Sequence, residues 1–220
     1  MTFNKDEILN LFKDFNFSNG FDDSKIDSFA AYLLNKNLSF SYDFGTTKAV
    51  IIPKDKDYVI KIPFQGYYDL KDNFHFFTKA SLENHWDYCK VEMERYRQVS
   101  EDILKECFAE TIFIGYINNY PIYIQEKCIP FNNATNKKAK EERKSMQSYL
   151  NNRVSGRTCL NANWCIDFVN YYGKERFENF IIFIECFDWS DDLSWDNVGY
   201  KAGRPIVIDF AGYREEGELD

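Results

Sequence analysis

The hydrophobic period of this 220-residue chain switches repeatedly between helix and strand spacing, and that alternation leaves few architectures open. Ile8, Leu9, Leu11, Phe12 and Phe15 form a helical stripe over residues 5–16, with Asn4 as the expected N-cap. Ile26, Phe29, Ala30, Leu33 and Leu34 form a second stripe over 23–35. The period then shortens. Residues 38–42, 48–52 and 58–62 read as strands, divided by Gly45 and by the polar turn at 53–57. A loose, aromatic-rich stretch covers 65–80, and a helix is expected over 81–107. Two more strands, 111–117 and 120–126, flank the turn Asn118-Asn119. The polar tract 132–144 reads as a linker or an exposed helix start. Beyond it come helices near 145–154, 163–172 and 175–187, then a strand over 205–210. This order predicts an α+β chain with a helical extension at 1–37, a sheet-rich part at 38–128 and a mostly helical part at 129–220.

Composition narrows the function classes. Apolar residues make up 45% of the chain and aromatic ones 18%, enough to build a core and to argue against general disorder. A net charge of −8 disfavours a nucleic-acid partner, which requires a basic face. The six cysteines form no CxxC and sit in apolar segments, so they read as reduced core residues of a cytoplasmic protein. No signal peptide is visible at the N-terminus, and no apolar run is long enough to span a bilayer. His75 and His85 lack metal-ligand spacing with each other or with any cysteine.

The candidate chemistry lies in two places. Asp192-Leu193-Ser194-Trp195-Asp196-Asn197 sets a carboxylate and an amide five residues apart, a catalytic-loop pattern, and Asp209 follows the apolar run Ile206-Val207-Ile208. Phosphoryl transfer needs a carboxylate to orient the nucleophile, here Asp192, and oxygen ligands for Mg²⁺, here Asn197 and Asp209. Upstream, Lys61 stands inside Tyr58-Val59-Ile60-Lys61-Ile62, where strand alternation puts Val59 and Lys61 on one face. Val59 would cover an adenine while Lys61 reaches the phosphates. Such a lysine needs a carboxylate partner from the next helix. Glu92 lies on that helix's apolar face, whereas Glu94 projects to a wetter side, so Glu92 is the expected partner.

Taken in order, Val59-Ile60-Lys61, Glu92, Asp192 to Asn197 and Asp209-Phe210-Ala211 resemble the protein-kinase superfamily. The style is that of small phage- or bacteria-encoded kinase-like proteins and of the aminoglycoside-phosphotransferase branch. The resemblance implies a two-lobed fold that binds ATP and Mg²⁺, with an antiparallel-sheet N-lobe plus one helix and a short helical C-lobe. It also implies a hinge at Ile124-Gln125-Glu126-Lys127-Cys128, whose backbone would pair with adenine. The chain departs from the pattern in four respects, one of them Ala211 in place of the glycine after Asp-Phe, although Gly212 follows. The glycine-rich loop is reduced to Gly45, Ser190-Asp191 replaces the usual His-Arg, and eight residues follow Gly212, so a reduced C-lobe is expected. Three functions stay open. The first is a protein kinase acting on itself or on a protein partner, the second a kinase-like binding protein without turnover, and the third a small-molecule phosphotransferase.

Overall fold

The computed structural model of the protein describes residues 1–17, 19–77, 86–99, 104–154, 159–186, 193–194 and 196–211. It is an α+β structure built around a five-stranded antiparallel sheet. The chain forms two compact units. One comprises Met1–Glu94, Glu110–Lys127 and Ala211–Asp220; the other comprises Arg95–Ala109 and Cys128–Phe210.

The first unit begins with α1 (Lys5–Phe12) and α2 (Ile26–Asn35). Asn4 caps α1, its Oδ1 accepting the N–H groups of Asp6 and Glu7 at 3.0 and 3.2 Å. The helix stops at Phe12, short of the expected residue 16, and Phe15 instead packs edge-on against Phe29, with ring centroids 4.7 Å apart. α2 starts at Ile26 instead of residue 23, because Asp22 caps a separate 3-10 turn over Asp23–Lys25.

Then come β1 (Phe40–Phe44), β2 (Lys48–Pro53), β3 (Tyr58–Pro63), β4 (Gly66–Tyr68), β5 (Phe74–Phe76), α3 (Tyr88–Gln98), β6 (Thr111–Ile117) and β7 (Tyr120–Glu126). The five-stranded sheet runs in the order β1-β2-β3-β7-β6. Its register gives it two unlike faces. Ala49, Ile51, Ile60, Ile62, Ile122 and Ile124 share one face and join Ile8, Phe12, Phe29 and Leu33 in a dry core. The other face carries Lys48 and Val50 of β2, Val59 and Lys61 of β3, Tyr123 and Gln125 of β7, and Thr111 of β6.

Two expectations for this unit need correction. The stretch 65–80 contains the β4–β5 hairpin. Its turn is organised by Asp69, whose carboxylate accepts the N–H groups of Lys71 and Asn73 and contacts the His75 ring. Those contacts, the His75 ring first, hold the Asp69 carboxyl well below the usual carboxylate range. The helix expected over 81–107 is α3, which starts at Tyr88 because Asp87 Oδ1 accepts the Lys90 N–H at 2.9 Å as a cap; a separate 3-10 turn covers Lys105–Cys107. Residues 78–85 and 100–103 lie outside the described residues.

The second unit contains β8 (Ile129–Pro130), α4 (Lys140–Arg153), α5 (Ala162–Tyr172), α6 (Lys174–Cys186), β9 (Val198–Lys201) and β10 (Arg204–Val207). Trp164, Phe168, Phe177, Phe180, Ile184, Leu193 and Phe210 belong to its core. The strand expected over 205–210 is β10. It ends at Val207 and pairs with β9, which in turn pairs with β8; neither of these two strands was expected. The β9–β10 turn places Ala202 and Gly203 at φ of 50° and 80°, the left-handed conformation of a tight hairpin. Of the six free cysteines, Cys89, Cys107 and Cys165 are buried; Cys159 and Cys186 are exposed, contrary to the core assignment. Among the described residues no helix is long and apolar enough to cross a membrane.

Candidate functional site

On the polar face of the first unit's sheet, strand alternation aims Lys61 at the start of α3. Its Nζ lies 3.0 Å from Glu92 Oε1 and 2.8 Å from Oε2. Lys61 is 3% exposed and Glu92 is 0% exposed. Water therefore does little to screen the pair, which makes each charge depend strongly on its partner. Thr111 Oγ1 and Gln125 Nε2 donate to Glu92 Oε2 at 3.3 and 3.4 Å, and Gln125 Nε2 is 2.9 Å from Thr111 Oγ1. Glu94 points elsewhere and meets Lys90 at 3.6 Å.

A second lysine joins this cluster. Lys48 starts β2, is 3% exposed, and donates from Nζ to the same Glu92 Oε1. Sequence reading missed it because its place depends on register. Lys48 stands opposite Pro63 and Lys61 opposite Val50, which sets the two lysines one two-residue step apart on a single face. The available signal was close to the one that singled out Lys61, a lone cation next to an apolar run, here Lys48 leading Ala49-Val50-Ile51-Ile52. Thr111 was missed for the same reason.

α3 is fastened to the sheet beside this cluster. The Tyr123 hydroxyl donates to Asp87 Oδ2 at 2.5 Å, while Asp87 Oδ1 caps the helix. Burial pushes the Asp87 carboxyl above its ordinary value, partly offset by the Tyr123 bond. Burial also drives the Cys89 thiol well up, so it is a neutral packing group.

The remaining residues of this part of the site are placed as follows. Val59 is buried on the same face as Lys61. The Gly45 N–H closes the β1–β2 turn onto the Lys48 carbonyl at 3.1 Å. Two N–H groups of the expected hinge segment are placed as follows. The Glu126 N–H goes to the Glu110 carbonyl at 3.2 Å and the Lys127 N–H to the Asp57 carbonyl at 2.9 Å, so both serve the strand edges. The Gln125 side chain belongs to the Glu92 cluster, and Cys128 is half-buried.

In the second unit the β9–β10 hairpin closes the twelve-residue gap between Asn197 and Asp209. The Asn197 carbonyl accepts the N–H groups of Ile208 and Asp209 at 2.9 and 3.2 Å. Leu193 is fully buried in the core of the second unit, and the Asn197 N–H bonds the Ser194 carbonyl at 3.1 Å. Arg95 holds the Phe210 carbonyl at 2.5 Å. Asp192 lies outside the described residues. Among the described residues no group of three His, Cys, Asp or Glu side chains could hold a metal ion. The chemistry of Asn197 and Asp209 nevertheless fits Mg²⁺, which takes one or two protein oxygens and fills its other positions with phosphate and water.

No protein-family model matches the chain, and no curated protein matches it in sequence. Among solved structures, the chain is similar to the streptomycin–ATP–APH(2″)-IIa ternary complex, an aminoglycoside phosphotransferase. Identity is 12%, the TM-score is 0.33, and the match covers 86% of this chain and 72% of the other. A likeness of that size places no residue of the site.

Proposed function

We propose that this chain is an ATP- and Mg²⁺-dependent phosphotransferase that acts on itself or on a protein partner. The observation that carries the proposal is the buried Lys61, bonded to both carboxylate oxygens of Glu92 on the polar face of the sheet. A structural lysine gains little from full burial, since desolvating a charge costs several kcal/mol, on the order of the attraction it recovers. A lysine kept charged and oriented in a dry site is suited to a phosphate oxygen. The hairpin between Asn197 and Asp209 adds support, because the Asn197 carbonyl accepts the Asp209 N–H and so brings the two backbones together in the second unit.

In this mechanism Glu92 fixes the Lys61 ammonium, and Lys61 neutralises the α- and β-phosphates of the nucleotide. Val59 packs on the adenine. Asn197 and Asp209 would hold Mg²⁺, which when bound supplies further charge neutralisation at the phosphate oxygens. Asp192 accepts the hydroxyl proton of the acceptor and orients its oxygen.

Thermal stability with and without ligand tests the binding half. Mg-ATP at a hundredfold excess over Kd should add about 2.7 kcal/mol of stability. Lys61→Ala should remove most of that gain, and Asp209→Asn should remove its dependence on magnesium. Transfer of label from γ-phosphate ATP to the protein itself or to a lysate tests turnover, which Asp192→Asn should abolish while binding persists. No stabilisation at millimolar Mg-ATP would overturn the proposal. Binding without any transfer would favour the kinase-like binding protein.

A further inference from the structure

We infer that β1 is a docking edge for a second copy of this chain, whose own β1 adds to it antiparallel about Tyr42, independently of any phosphotransferase activity. β1 stands at the end of the five-stranded sheet and pairs with β2 alone among the described residues. The Gly45 N–H bonds the Lys48 carbonyl at 3.1 Å, and the Lys54 N–H bonds the Ser39 carbonyl at 3.0 Å. In an antiparallel ladder the bonded pairs recur at every second residue, so Ser41 and Asp43 spend their backbone groups on β2. Phe40, Tyr42 and Phe44 turn theirs outward. Pro53, which has no N–H to give, stands opposite Phe40, consistent with that phase.

An open strand edge is a template for another strand unless something blocks it. The opposite edge of this sheet is blocked. β6 is bulged between Phe113 and Gly115, and Leu9 and Lys5 of α1 lie over Gly115, within 3.6 Å of where a Cβ would stand. β1 has no such cover among the described residues. Its Tyr42 and Phe44 side chains are 45% and 53% exposed, on the side of the sheet that carries the aliphatic core.

The strand's own sequence selects a second copy over other extended segments. Phe40-Ser41-Tyr42-Asp43-Phe44, laid antiparallel on itself about Tyr42, sets Tyr42 opposite Tyr42, Phe40 opposite Phe44 and Ser41 opposite Asp43. Aromatic pairs then meet on one face. On the other a hydroxyl meets a carboxylate, and the two Asp43 charges lie diagonal to each other. The backbone agrees with this register. Residues 42 and 42, and 40 and 44, are those whose N–H and C=O groups point outward, so each pair can exchange bonds across a two-fold axis. A shift of one residue would oppose outward groups to inward ones, and a shift of two toward the C-terminus would oppose Asp43 to Asp43. In the single chain the Phe44 N–H bonds Asp43 Oδ1 at 2.9 Å, and the bonds donated by Phe40 and Tyr42 do not draw on it. A five-residue strand is a small contact, so the dimer should be transient.

Sedimentation velocity of the full chain from about 1 to 300 µM tests this, a range suited to small interfaces. The wild type should pass from monomer to dimer as concentration rises. Tyr42→Lys, whose stem can cover the apolar cleft beside α2 that Tyr42 lines, sets two ammonium groups face to face and should weaken dimerisation at least about tenfold. Tyr42→Glu should do the same. Mixing the two variants should restore a dimer, because lysine then meets glutamate across the axis. Tyr116→Lys, at an exposed position of β6, should dimerise as the wild type does. A wild type that stays monomeric throughout overturns the inference, even if an extended peptide of another sequence binds at β1. Dimerisation of Tyr42→Lys alone, or a mixture that stays monomeric, overturns it too. Should the variants not fold, amide exchange of the wild type decides the matter. Raising the concentration should slow exchange at Phe40 and Tyr42 more than at Ser41 and Asp43, and no such difference overturns the inference.

Discussion

Glu92→Gln is the most informative single substitution in the first unit. The change keeps the shape of the side chain and its contacts with Thr111 and Gln125, so packing loss is small and the lost charge dominates. Glu92 is 0% exposed and faces two lysines that are each 3% exposed. Removing one partner of a buried ion pair costs about 3–5 kcal/mol, because the other charge stays behind in a poorly solvated place. Here one carboxylate serves two ammonium groups, which puts the expected loss at the upper end of that range. For a chain of this length the urea dependence is about 2–3 kcal/mol per M, so the unfolding midpoint should fall by roughly 1.5–2.5 M. Glu94→Gln is the control. Glu94 is partly exposed and meets Lys90 along the helix at 3.6 Å, a pair worth about 0.3–0.5 kcal/mol. Far-UV circular dichroism in urea gives the midpoint, and amide exchange along α3 gives a local readout, since two compact units need not unfold as one. A midpoint shift as small as that of Glu94→Gln, or unchanged exchange in α3, would show that the buried cluster contributes little and would refute this account.

Two further outcomes are expected. Burial raises the Asp87 carboxyl above its ordinary 3.8, so the native state holds that proton more tightly than the unfolded chain, and this contribution to stability is lost as pH rises through the folded value. The stability of Asp87→Asn relative to the wild type should therefore increase with pH above 3.8, and a difference flat in pH would contradict it. In the second unit, a Cβ on Gly199 would stand 2.4 Å from the Ile129 carbonyl oxygen. Gly199→Ala should push β8 off β9 and cost about 1–3 kcal/mol, measured as a fall in thermal midpoint.

What could be read in advance follows from how local each signal is. The aliphatic face of the sheet was legible because Ile60, Ile62, Ile122 and Ile124 alternate within their own strands. The direction of Lys61 came from that same period, and the choice of Glu92 over Glu94 came from helical period alone. Lys48 and Thr111 were not legible. Both depend on which residues stand opposite one another across β2, β3, β7 and β6, and register is set by turns and bulges such as the shift between Phe113 and Gly115. Helix ends failed for a related reason. Asp22 and Asp87 act as caps, and an aspartate looks the same in sequence whether it caps a helix or sits in solvent. The β4–β5 hairpin was missed because its turn at Asp69–Asn73 contains no Gly or Pro, and Asp72 adopts φ of 59° instead.

The two faces of the five-stranded sheet divide the work of this unit. One is closed by aliphatic and aromatic packing from α1 and α2, which supplies stability that does not depend on charge. The other holds two lysines, a glutamate, a threonine and a glutamine in a dry cluster, where each polar group must find a partner. A cluster of that kind adds little net stability and loses much when any member is removed, so a fold that carries one needs its stability from elsewhere. Substitutions on the aliphatic face should then lower stability while leaving any nucleotide affinity of the folded protein unchanged. Substitution at Lys61 should change affinity beyond what the lost stability explains. Ile60→Val and Lys61→Met, compared in the same urea and binding measurements, separate the two roles. Ile60→Val should cost about 0.5–1.5 kcal/mol with no change in Kd. If Ile60→Val weakened nucleotide binding as much as Lys61→Met, the two faces would not be independent, and the cluster would be one part of a single packed core.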